Sequence, residues 1–261
     1  MRKGSTRPEA KVPGNSRGRY AEGMLSSELL SAVPHGILNT AFLHALPSEL
    51  EAVAIPDKAV GMAQYMKSSM PFMGVPSPSV RATVRSLAKV HPFSSVAELH
   101  ATVTELWTTA QFREERYAAI MLTDSRLGRG EIGLLPFYAV VIGSGQWWDY
   151  VDAVAPRVCE LFLKEPESME ALLRQWSVAE NFWFRRSAII AQLPAKAATN
   201  VALLQELIEP NLGDKEFFIR KAIGWALRQY ARTDPAWVRD YVRHNEQRLS
   251  PLSYREALKH L

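Results

Sequence analysis

Residues 181–190 read Asn181-Phe182-Trp183-Phe184-Arg185-Arg186-Ser187-Ala188-Ile189-Ile190, and the aromatic that opens this stretch decides the fold. Phe182 is one of four aromatics spaced thirty-five positions apart, the others being Phe112, Trp147 and Phe217. Each opens a helix-like segment, and the last three are followed directly by a second aromatic: Trp148, Trp183 and Phe218. A fixed period of this length marks stacked helical repeats, because one short helical pair cannot bury its own apolar face and must lean on a neighbour. The expected architecture is therefore all-α, a curved α-solenoid whose concave face carries the functional residues.

Working outward, the pattern is helical nearly throughout from Met24 onward. Leu25, Leu29 and Leu30 share one helical face, and so do Leu43, Leu46 and Leu50. Pro34, Pro47, Pro56, Pro71, Pro76 and Pro78 punctuate these segments, as expected of short helices joined by tight turns. The stretch VPSPSVRATVRSLAKV predicts a turn feeding a helix, with Ser79 as N-cap and Val80, Val84 and Leu87 on one face. SVAELHATVTELW repeats the arrangement with Val96, Leu99, Val103 and Leu106. FYAVVIGSG is the best strand candidate, but both flanking segments are helical, so it reads as a buried helix ending at Gly143. No segment alternates with period two between tight-turn signals, and no strand is expected.

Composition narrows the function classes. The chain has 261 residues, 47% apolar and 22% charged, enough for one continuous solenoid with a real core. Cys159 is the one cysteine, so no internal disulfide forms and a reducing cytoplasm is the expected home. The six histidines show no metal-ligand spacing, and neither a metal nor another cofactor is expected. No apolar run approaches the roughly 20 residues of a membrane helix, and no apolar h-region follows the charged N-terminus. Residues 1–20 carry six cations against Glu9, a sum of +5, which leaves the other residues at −1 against the total of +4. Residues 1–22 therefore read as a disordered basic tail, followed by a single domain over 23–261. A body so nearly neutral binds nucleic acid only through a local patch.

Several motifs carry possible chemistry. Gly128-Arg-Gly-Glu-Ile-Gly133 matches G-x-G-x-x-G formally, but a helical pattern precedes it where a dinucleotide site needs a strand, so it reads as a helix–helix loop. Trp148 and Asp152 in QWWDYVD stand at i and i+4, on one helical face. A carboxylate beside an indole fits an apolar core poorly. The bland alternative has Trp148 packing, Asp149 capping the helix and Asp152 solvated. One repeat later Trp183 precedes Arg186 by three, with Arg185 beside it. In FFIRKAIGWALR, Lys221 and Trp225 are i and i+4, with Arg228 one turn further. Aromatic faces beside cations suit sugar–phosphate backbones and stacked bases. Against this stands a solenoid whose tryptophans merely fill the seams between repeats. Gly224 inside a helix costs about 1 kcal/mol relative to Ala, which implies a close approach by a ligand or another backbone. Lys67, in a helix ended by the turn SSMPFMG, is placed either to reach a phosphate or to stay solvated. Cys159 lies in an apolar helix interior, where a thiol is inert. Asp152 is the most distinctive candidate for a chemical role.

These same stretches carry a resemblance. AQYMKSSMPFMGVPSPSVR, WWDYVDAVAP, NFWFRRSAIIAQL, KEFFIRKAIGWALRQYARTDPAWVRDYV and LSYREALKHL, in that order from about residue 48 to the C-terminus, resemble the AlkD family of DNA alkylation repair glycosylases. The resemblance implies a solenoid of HEAT-like repeats that excises cationic N3- and N7-alkylated purines, such as 3-methyladenine and 7-methylguanine, from duplex DNA. It implies Asp152 as the catalytic carboxylate, Trp148 and Trp225 as site tryptophans, Arg186 as the site arginine that holds a phosphate, and Tyr65 as the tyrosine near the lesion. Lys67, Trp183, Arg185, Lys221 and Arg228 complete the expected DNA-contacting set. The expected partner is alkylated duplex DNA, engaged by a monomer through its backbone without a base-reading pocket. Two other classes remain open: a non-catalytic binder of unusual DNA structures on this scaffold, and a solenoid that scaffolds proteins.

Overall fold

Short polar side chains mark where the helices begin. Asn39 accepts from the N–H of Phe42, Ser95 from Glu98, Asn200 from Leu203, Asp234 from Trp237 and Ser250 from Ser253. Each contact satisfies one of the backbone donors that a helix start leaves open. The computed structural model describes residues 36–261, which form thirteen α-helices and no strand. They are α1 (Thr40–Glu51), α2 (Pro56–Met66), α3 (Ser77–Val90), α4 (Val96–Thr109), α5 (Arg113–Leu122), α6 (Leu135–Gly145) and α7 (Trp148–Lys164). Then follow α8 (Pro166–Ser177), α9 (Phe182–Ile190), α10 (Val201–Ile208), α11 (Phe217–Tyr230), α12 (Pro235–His244) and α13 (Pro251–Ala257). The basic tail expected over residues 1–22, and the helix face of Leu25, Leu29 and Leu30, lie outside the described residues.

The odd-numbered helices from α3 to α13 make one ladder, each packed on the next, and α4, α6 and α8 back it by packing on α5, α7 and α9. This is the all-α helical-repeat solenoid that the period demands. The ladder helices start at Ser77, Arg113, Trp148, Phe182, Phe217 and Pro251. The thirty-five-residue spacing therefore extends one unit beyond the aromatics at each end. Those two end units hide because a proline near the helix start, not an aromatic, marks them.

The repeated aromatics meet where the ladder helices begin. The Trp147 and Trp183 ring centres lie 6.3 Å apart, Trp183 and Phe218 4.9 Å, and Trp147 and Phe218 5.6 Å. Contacts of this kind contribute about 0.5–1.5 kcal/mol each beyond the area they bury. Trp183 is only 4% exposed, so the seam-filling alternative describes it correctly. Val80, Val84, Leu87, Leu99, Val103 and Leu106 face the core as their spacing predicts.

Three local expectations are corrected. Ser79 lies inside α3, whose N-cap is Pro76. Pro47 sits within α1 rather than between helices. The helix of FYAVVIGSG runs on to Gly145, two residues past the expected stop. Gly128–Gly133 does form a helix–helix connection, closed by a short 3-10 turn at Ile132–Leu134. Gly224 has the close neighbour its placement implies, and that neighbour is helix α13. A Cβ on Gly224 would lie 2.4 Å from the Cβ of Glu256 and 2.9 Å from the Ser253 carbonyl oxygen. Among the described residues no helix is long and apolar enough to cross a membrane.

Candidate active site and nucleic-acid interface

Helix α7 builds the centre of the site. Its Tyr150, Val151, Val154, Ala155 and Val158 are buried and fix the helix against its neighbours, which turns Trp148 and Asp152 together into a cleft. Pro156 lies four residues after Asp152 inside this helix. Proline has no N–H, so the Asp152 carbonyl lacks its helical donor.

The Asp152 carboxylate is gripped from both sides of one guanidinium. Arg186 Nε donates to Oδ1 at 2.9 Å and Nη2 to Oδ2 at 2.8 Å. The third nitrogen, Nη1, donates to the Phe218 carbonyl at 2.7 Å. Such a fork fixes the plane of the carboxylate as well as its charge. The Arg186 side chain is 4% exposed and that of Asp152 17%. Burial pushes the Asp152 carboxyl above its ordinary value, the Arg186 guanidinium pulls it back, and the nearby Asp149 charge adds to the rise. Arg186 was expected to hold a phosphate. In the structure it is buried, and its nitrogens are taken up by the Asp152 carboxylate and the Phe218 carbonyl.

The cleft in front of Asp152 has a volume of about 600 Å³ and is lined by Tyr65, Lys67, Trp147, Trp148, Arg186, Phe217, Phe218, Lys221, Trp225 and Arg228 besides Asp152 itself. Of the ten residues expected at the site, eight are brought together here. Tyr65 is 73% exposed and meets Trp148 edge-on at 6.4 Å. Two smaller cavities also reach Asp152. One, of about 370 Å³, lies behind Trp148 among Met62, Met66 and Phe72, and the other, of about 250 Å³, lies beside Arg81 and Arg157.

Two residues expected to contact DNA do not line this cleft. Trp183 is buried in the aromatic seam. Arg185 donates to the Ala179 and Glu180 carbonyls and to the Asp214 carboxylate at 2.9 Å, bracing the turn into α9 away from the cleft. Trp183 stands three residues before Arg186 on the same helix face, so the rings packed around it, not the helix phase, hold it in the seam. Arg185 is turned about 100° around the helix from Arg186.

Lys67 is singled out by its backbone. It closes α2 in the left-handed region, at φ 48°, where glycine is the favoured residue. Lys67→Gly should therefore leave thermal stability unchanged or raise it, yet weaken duplex DNA binding and lower its salt slope by about one. A variant that binds as the native chain does removes Lys67 from the interface.

The structure also shows polar groups that the sequence reading missed. Asp149 was weighed only as a helix cap. It accepts from Arg113 Nη2 at 2.8 Å and from the Tyr117 hydroxyl at 2.6 Å. Burial and the Asp149 charge push the Tyr117 phenol far up, so it stays a donor. The Arg113 guanidinium lies 4.2 Å from the Tyr150 ring centre. Glu114 accepts from the backbone N–H of Met73, Gly74 and Val75. Together these contacts pin the loop after α2, and with it Tyr65 and Lys67, to the start of α5. Glu256, on α13, bridges Lys221 and Arg228. The partners in these contacts are separated by about a repeat length or more, so no local motif announces them.

The family described as DNA alkylation repair enzyme matches over residues 46–261. Among solved structures, the chain is similar to a predicted DNA alkylation repair enzyme from Enterococcus faecalis, with 33% identity and a TM-score of 0.69 over 80% of this chain and 96% of that one. No curated protein matches it.

Proposed function

The chain belongs to the DNA alkylation repair enzyme family, and from that premise we propose that it is a monofunctional DNA glycosylase acting on cationic N3- and N7-alkylated purines, such as 3-methyladenine and 7-methylguanine, in duplex DNA. Alkylation at N3 or N7 turns the base into a cation, which departs as a neutral molecule when its glycosidic bond breaks. Positive charge then develops on the deoxyribose. A fixed carboxylate stabilises that charge most where water is scarce and no reorganisation is needed at the moment of reaction. Asp152, held by both nitrogens of the Arg186 fork between Trp148 and Trp225, meets that description. It is the observation that carries the reading.

The same carboxylate orients the water that attacks the sugar, as a general base within hydrogen-bond reach. Trp148, Trp225 and Tyr65 present π faces to the cationic nucleotide, and Lys67, Lys221 and Arg228 meet the phosphates. The groups facing the cleft are rings, cations and one carboxylate rather than a set of donors and acceptors matched to a base edge. Selection then rests on the lability of the bond and on how the duplex deforms. The enzyme works without metal or cofactor, as a monomer in the cytoplasm. The test is base release from N-methylpurine-containing duplex DNA by the native chain. Free methylated purine and an abasic strand that breaks only on alkaline treatment are expected; intact methylated DNA after prolonged incubation overturns the proposal.

A further inference from the structure

Helix α13 brings a carboxylate against the cationic end of the cleft, beneath its lining. Its Glu256 holds Lys221 Nζ through Oε1 at 2.7 Å and Arg228 Nη1 through Oε2 at 2.6 Å. The Glu256 side chain is 13% exposed, against 39% for Lys221 and 23% for Arg228, so the carboxylate lies beneath the two cations. Its helix is held close to α11. The backbone at Ser253 and the Cβ of Glu256 press onto Gly224, and the Ser253 hydroxyl donates to the Arg220 carbonyl at 2.8 Å. The Lys221 ammonium holds the Glu256 carboxyl below the usual carboxylate range, with Arg228 and Lys259 acting in the same direction, so the group is ionised wherever the protein works. Two of the three part-exposed cations lining the cleft thus carry a built-in counter-charge, and Lys221, Arg228 and Glu256 together sum to +1 rather than +2.

We infer that Glu256 is an internal competitor of the DNA phosphates for Lys221 and Arg228, which holds duplex affinity down so that product DNA can leave. The inference rests on the DNA-binding reading of the cleft. Phosphate affinity is set by how many cations are free to displace condensed counterions, and each one adds about 0.9 to the slope of log affinity against log salt. A carboxylate already seated on both cations removes close to one such contact. A repair enzyme surveying mostly undamaged DNA gains from this, because overly tight binding lengthens every unproductive encounter.

Glu256→Gln keeps the shape of the side chain and removes its charge. Full-length Glu256→Gln should bind an undamaged duplex about tenfold more tightly at 0.1 M salt, with a salt slope steeper by about one. Its steady-state base release should fall as product is retained. Glu256→Asp keeps the charge but withdraws it from the two cations, and should give a smaller shift in the same direction. Thermal unfolding of both variants separates these effects from loss of the fold. Weaker binding with a shallower slope in folded Glu256→Gln would make Glu256 a support for the cations and overturn the inference; so would a slope equal to the native one. Failure of the native chain itself to bind duplex DNA in a salt-dependent way would instead sink the DNA-binding reading.

Discussion

Asp152→Asn should slow release of alkylated purine from duplex DNA by about a thousandfold, with undamaged duplex binding within a few-fold of native. The substitution is isosteric and acts on charge alone. Asparagine offers no net charge to a sugar turning cationic, and it presents a donor to the Arg186 fork where two acceptors are required. Removing one member of a buried pair costs on the order of 3–5 kcal/mol, and less here because the Asp152 side chain keeps 17% exposure. Thermal unfolding must therefore accompany the kinetics, and the single-turnover rate is measured well below the variant's melting temperature. Native-like release by a folded Asp152→Asn protein would remove this carboxylate from the mechanism. The pH profile supplies a second test. In the proposed mechanism Asp152 acts as a carboxylate, and burial raises its pKa. Activity should then be full above that raised pKa and fall as pH drops through it, so the acid limb should lie above the value of an ordinary aspartate.

Arg186→Ala is expected to have an effect nearly as large, of a different kind. A phosphate-binding arginine would lower DNA affinity and flatten the salt dependence when lost. Arg186 is 4% exposed and gives its nitrogens to Asp152 and the Phe218 carbonyl, so it has none to spare for DNA. Its removal should leave the salt slope at the native value while base release falls about a hundredfold or more and stability drops by roughly 3–5 kcal/mol. Without the fork Asp152 loses the group that opposes burial, and the acid limb of the activity moves further up. Arg186→Lys restores charge to one oxygen but cannot reach both oxygens and the carbonyl, so rescue should be partial. A slope reduced by about one in Arg186→Ala, with native stability, would return this residue to the phosphate-contacting set.

The repeat was legible because its marker is bulky and strictly spaced. Phe112, Trp147, Phe182 and Phe217 stand at the starts of successive ladder helices, and Trp147 joins the neighbouring rings Trp183 and Phe218 in one seam. Asp152 stood out for the opposite reason, a charge on a face that packing alone would make apolar. What stayed hidden depends on pairing across repeats. The sequence places Trp183 and Arg186 one turn apart, but packing sends Trp183 into the seam and Arg186 to Asp152. Glu256 and Asp149 look like ordinary surface carboxylates until α13 and α5 are packed against α11 and α7. Gly224 lies between these cases, since its cost to the helix was readable but the approaching helix was not.

The order of the ladder has a kinetic consequence. Each rung packs chiefly on its neighbours, so loosening starts at the two ends and travels inward. Helix α7 is the third of six described rungs, and α9, which carries Arg186, is the fourth. The carboxylate and its guanidinium therefore occupy the interval that fraying reaches last, whereas Lys67 and Glu256 sit nearer the ends. Warming or mild denaturant should dissolve the grip on the double helix before it disturbs the chemistry, and hydrogen exchange should be slowest across the two central rungs.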